Sequence, residues 1–169
     1  MGNKKNNKVI KFGRFRYAAA GAIAVMIVSL CFVKPNASGE AVYQDNFMAY
    51  EDMVSGELDL MLNTRSGGED DEMTKALREL KKGLNFYNDN NYHEAIPYFE
   101  TYTQNNPDAR DHDDINFYLG VSYMGESQIE KGAATFEQLT NSKDSDIQQD
   151  AKWYLALAKA KQGLSLIHI

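Results

Sequence analysis

Two stretches of this chain place the same kinds of residue at the same intervals, and no other feature narrows the possible folds as far. In KGLNFYNDNNYHEAIPYFETYTQNNP, residues 82–107, Gly83, Phe86, Ala95, Phe99 and Pro107 fall at offsets 0, 3, 12, 16 and 24. In YLGVSYMGESQIEKGAATFEQL, residues 118–139, Gly120, Tyr123, Gly132 and Phe136 fall at 0, 3, 12 and 16. Ala156 in WYLALAKAKQG offers a third first place, so the starts are 37 and 36 residues apart. The offsets describe two helices. A small residue lets a second helix approach closely, and the aromatic one turn on shares its face. After a turn, the second helix presents a small residue and then another aromatic, so small packs against large across an antiparallel pair. Asn91 to Glu94, Ser127 to Glu130 and Ser145 to Gln148 read as capping boxes at helix starts. Pro107 reads as a helix stop, and Pro97 as a residue in the early turns of a helix.

This pattern resembles the tetratricopeptide repeat (TPR) family, whose unit is a 34-residue helix–turn–helix. The resemblance covers residues 76–163, with units at 76–109, 113–146 and an incomplete 149–163. Unit two has Gly132 where Ala is commoner and no proline at its end. Unit three has Lys159 in place of the aromatic. The resemblance implies a superhelix whose first helices line a groove for a peptide or a partner helix. By repeat position the groove side chains would be Tyr87 and Asn88 from unit one, with Leu77, Leu80 and Leu84 read rather as packing. Asp114, Phe117, Val121 and Met124 would come from unit two, and Asp150, Trp153, Leu157 and Lys161 from unit three. The expectation is a non-catalytic protein-binding scaffold that needs no cofactor.

The first 34 residues are of another kind. Tyr17 to Val33 is a run of 17 residues without a charge, preceded by six basic residues and followed by Lys34. That length is at the lower limit for a membrane-spanning helix, and the positive-inside rule places residues 1–16 in the cytoplasm. The expected fold is therefore all-α, with a single transmembrane helix at 17–33 contacting lipid, a connector at 34–75, and a short TPR solenoid outside a bacterial inner membrane. A cleaved signal with Ala37-Ser38-Gly39 as its site, or a loose lipobox at Val28 to Cys31, are the competing readings of the same segment. In the connector, apolar residues from Val42 to Leu62 suggest one or two short helices interrupted at Ser55-Gly56, and residues 63–72 a charged loop.

Charge and chemistry narrow the function. Of 18 Lys and Arg, seven lie before residue 35, which leaves 11 against 24 acidic residues in the remainder. A body so acidic does not suit nucleic acid, which is held by phosphate neutralisation. Cys31 is the sole cysteine, and His93, His112 and His168 are scattered, so no nucleophile–base set is suggested. Asp108 to Asp114 gathers aspartates and a histidine, but lacks the glycine and terminal glutamate of a calcium loop, and reads as an inter-repeat turn. A regulator that passes an outside binding event to the basic tail is an alternative function. The ending LSLIHI, residues 164–169, breaks the repeat and looks like adapter read-through, so a longer protein with a further effector domain is a third.

Overall fold

A computed structural model describes residues 38–65 and 71–163. Among them are seven helices: α1 (Gly39–Asn46), α2 (Ser55–Arg65), α3 (Glu72–Asn88), α4 (Tyr92–Asn105), α5 (His112–Gly125), α6 (Ile129–Leu139) and α7 (Ser145–Lys161). No strand occurs among the described residues. The all-α, helical-repeat character is thus present, but the fold class needs a correction. Among the described residues no helix is long and apolar enough to cross a membrane. The expected span at 17–33, the basic tail at 1–16 and the ending at 164–169 lie outside the described residues. The single-pass inner-membrane placement is accordingly withdrawn.

Helices α3 and α4 form one hairpin and α5 and α6 a second, while α7 packs on both α6 and α5. Each hairpin interlocks at its glycines. A Cβ on Gly83 would lie 2.7 Å from Cβ of Tyr98 and 3.1 Å from the Phe99 ring. One on Gly120 would lie 2.8 Å from the Phe136 ring, and one on Gly132 would lie 2.6 Å from Met124 Cγ and 3.1 Å from the Gly120 carbonyl oxygen. Any side chain here would push the helices apart. Ala95, Phe99 and Phe136 are fully buried and Tyr123 nearly so. Phe86 is half-buried and stacks on Tyr98 at 5.9 Å, while Pro107 is exposed in the turn after α4 and Ala156 is half-buried on α7.

The helix ends differ from the capping-box expectation. Asn91 makes no side-chain cap bond, and the N-cap of α6 is Gln128, also without one. The turns are set from the other side. Asn90 and Ser127 have φ of 57° and 60°. Around them Asn90 N–H donates to Tyr87 O, Asn91 N–H to Phe86 O, Ser127 N–H to Met124 O and Gln128 N–H to Tyr123 O. This paired pattern is the Schellman C-cap, in which a left-handed residue ends the first helix. Gly163 takes the third such place at φ 71°. At α7 the cap is Asp144, whose carboxylate accepts from the N–H groups of Asp146 and Ile147, so the start lies one residue before Ser145.

The connector turns back on the repeats. Ser38 caps α1 by accepting from Ala41 N–H, and α1 packs on α7, with Gly39 set directly against the Ala160 carbonyl. Residues 47–54 have no helix, and α2 then packs on α3. The break therefore falls before Ser55-Gly56, which instead begin α2. Asp52 is the reason: its Oδ1 accepts from the N–H groups of Val54 and Ser55 at 2.9 and 3.0 Å, and turns the chain into the helix.

Candidate functional site

Helices α3, α5 and α7 are the first members of the successive hairpins, and together they present the face on which a partner is expected. That face is covered by residues 47–54 of the same chain, which we call the strap. It starts on α7 at Met48, meets all three helices at Tyr50, meets α3 at Asp52 and returns to α5 at Met53.

Three tyrosines hold its main chain. Tyr154 Oη on α7 donates to Met48 O at 2.8 Å, and Tyr87 Oη on α3 donates to Tyr50 O at 2.8 Å. Tyr118 Oη on α5 accepts from Met53 N–H at 2.9 Å. The three rings are buried, and burial pushes each hydroxyl above the usual tyrosine range, so all stay protonated and able to donate. Two of them share a repeat position. Tyr118 packs beside Phe99 at 6.3 Å, and Tyr154 packs beside Phe136 at 5.0 Å, two residues ahead of the small places Gly120 and Ala156. Unit one carries Lys81 at that place and supplies Tyr87 from a later turn.

Side-chain contacts accompany these main-chain bonds. The Tyr50 ring lies 4.4 Å from that of Phe117, and its hydroxyl donates to Asp150 Oδ2 at 3.0 Å. Phe47 meets Tyr154 edge-on at 6.5 Å. Asn88 Nδ2 donates to Asp52 Oδ2 at 2.8 Å. Burial alone would raise the Asp52 pKa, but bonds from Ser55 Oγ, Asn88 and the N–H groups of Ser55 and Val54 outweigh it and hold the carboxyl below its usual value. Behind the strap, Tyr43 on α1 donates to Met124 O at 2.8 Å, under Lys161 Nζ at 4.0 Å from its ring centre. Burial first, then the Glu40 charge, push the Tyr43 hydroxyl up to about 12.

Of the ten groove positions expected from the repeat, Tyr87, Asn88, Phe117, Met124, Asp150 and Lys161 touch the strap or α1. Val121 and Leu157 are fully buried, whereas Trp153 is half-buried on α7. Leu155, between Tyr154 and Ala156 on the same helix, is buried. Asp114 is half-buried at the start of α5, where burial and then the carboxylates of Asp144, Asp111 and Asp113 raise its pKa. The neighbouring aspartates are engaged: Asp111 accepts from Tyr102 Oη and Asp113 from Ser142 Oγ. Among the described residues, no group of three or more histidine, cysteine or carboxylate side chains is placed to hold a metal ion.

Sequence reasoning missed the strap, Tyr118 and Tyr154. The recurrence of tyrosine two places before the small residue was the available signal for the last two. No family model, no curated protein and no solved structure matches the chain.

Proposed function

We propose that residues 38–163 are a non-catalytic protein-binding module, a short TPR array whose first helices hold a polypeptide in extended form. The observation that carries this reading is the trio Tyr87, Tyr118 and Tyr154, which bonds to main-chain groups of Tyr50, Met53 and Met48. Hydroxyls aimed at peptide carbonyls and N–H groups hold an extended chain whatever its side chains, and Phe117 beside them supplies an apolar seat. The TPR reading is supported by the left-handed turn residues Asn90, Ser127 and Gly163, spaced like the small places Gly83, Gly120 and Ala156.

The test uses the whole chain with a protease site placed between Arg65 and Asp71. After cleavage, the part carrying the strap should stay bound to the repeats. A labelled synthetic peptide of residues 46–54 should then bind saturably as it exchanges with that part, read by fluorescence anisotropy. Immediate separation of the two parts together with no peptide binding would remove the proposal.

A further inference from the structure

We propose that the strap is a tethered stand-in for the partner: the ligand is an extended segment of the pattern Phe-x-x-Tyr-x-Asp, and it enters by displacing residues 47–54. The inference rests on the peptide-binding reading above and adds the partner's chemistry and the means by which the face is closed.

The first support is the burial pattern. None of residues 47–54 is fully buried, although the residues beneath them are: Tyr118 is 0% exposed, Phe117 1% and Tyr87 2%. An integral core element buries its own apolar side chains. This one covers others and leaves Met48 68% and Met53 52% exposed, with Ala49 and Glu51 also outward. It therefore behaves as a cover that a similar segment can replace. An uncovered face would expose Phe117, Tyr118, Tyr87 and Tyr154 together, a patch that a soluble surface does not tolerate without an occupant.

The second support is what the face reads. Phe47 meets Tyr154, Tyr50 meets Phe117, Tyr118 and Asp150, and Asp52 meets Asn88. The outward positions are free to vary. A tyrosine is favoured over phenylalanine at the central place because its hydroxyl satisfies Asp150, and an acidic residue two places on satisfies Asn88. The main-chain bonds fix the register, with Met48 held from α7, Tyr50 from α3 and Met53 from α5.

The tether sets the threshold. A segment held by a short connection acts at an effective concentration of about 1 mM. If its intrinsic Kd is roughly 10 µM, the closed form outnumbers the open about a hundredfold, and a free peptide of equal quality binds that much more weakly.

The experiment titrates the synthetic 46–54 peptide into the full chain and into its Tyr50→Ala and Tyr50→Phe variants, each checked for helicity by circular dichroism. The Tyr50→Ala chain should bind the peptide at least about tenfold more tightly than the parent, and Tyr50→Phe by an intermediate factor, since each weakens the competitor. Conversely, peptides bearing Tyr50→Ala or Asp52→Ala should bind the Tyr50→Ala chain several-fold more weakly than the parent peptide. Equal binding by the parent and Tyr50→Ala chains would overturn the tethered competitor. Equal binding of all the peptides would overturn the sequence pattern, while leaving the peptide-binding reading in place. A dimer of the uncut chain formed by strap exchange, seen by light scattering, would assign the segment to a second copy and overturn the proposal. Failure of the cleaved chain to bind any peptide would instead remove the reading beneath it.

Discussion

Replacing Gly39 with alanine should loosen the strap from its far end. Gly39 begins α1, and a Cβ there would overlap the Ala160 carbonyl oxygen and lie 2.7 Å from its carbon. Carbon atoms in contact sit about 3.5–4.0 Å apart and a carbon–oxygen pair slightly less, so clearing the oxygen requires α1 to move off α7 by roughly 1.5 Å. The obstacle is main chain at the end of α7 and cannot rotate away. The shift also stretches the 2.8 Å bond from Tyr43 Oη to Met124 O and draws the Tyr43 ring from Lys161. Overpacking of this kind costs about 1–3 kcal/mol. Gly56, second in α2, is the internal control, because no atom lies within 4 Å of its Cβ position. Gly56→Ala there gains about 0.5–1 kcal/mol from the lower entropy of the unfolded chain and better helix propensity. Urea denaturation of the full chain measures both, and limited proteolysis reports the strap separately, with faster cutting at 47–54 expected in Gly39→Ala. If Gly39→Ala proves as stable as Gly56→Ala, α1 does not lie on α7 as described and the argument from close approach fails.

Ser127 holds a left-handed conformation that costs an L-residue roughly 1 kcal/mol, and Ser127→Gly should raise stability by about 0.5–1 kcal/mol in the same denaturation assay. Asp114 has a raised pKa, caused first by burial and then by Asp144, Asp111 and Asp113, so its ionised form is held at a cost in the folded chain. That cost is fully present above the folded pKa and absent below the unfolded value of 3.8. Asp114→Asn should therefore raise the thermal midpoint at neutral pH, with an advantage that shrinks on acidification; thermal melts from pH 7 to pH 3 would check it.

The hairpins were legible because their information is local. Gly83 meets Phe99 sixteen residues on, and Gly120 meets Phe136 at the same distance, so one repeat unit contains both halves of each contact. The turns were placed correctly but for another reason than capping boxes. A left-handed Ser127 leaves little trace in sequence, because glycine and to a lesser degree asparagine are the residues that advertise positive φ, and among the described residues the one positive-φ glycine is Gly163. The strap was not legible at all. Its apolar residues Phe47, Met48, Tyr50, Met53 and Val54 keep a partly helical spacing although no helix forms there, and its bonds reach Tyr87, Tyr118 and Tyr154 across 37, 65 and 106 positions. Main-chain recognition also leaves no side-chain signature in the segment recognised.

The same fact bears on what the face can discriminate. Its three tyrosine bonds are indifferent to sequence, so they raise affinity for every extended chain alike and cannot separate one partner from another. Selectivity must come from the places where side chain meets side chain, which include Phe47 against Tyr154, Tyr50 against Phe117 and Asp150, and Asp52 against Asn88. A face so permissive would bind unrelated extended segments if left open. Covering it with a tethered segment of about the right quality imposes the same penalty on all comers, and only those that also satisfy Asp150 and Asn88 recover it. On the proposed reading the strap therefore sets a common threshold by competition, and the discrimination itself comes from the side-chain contacts.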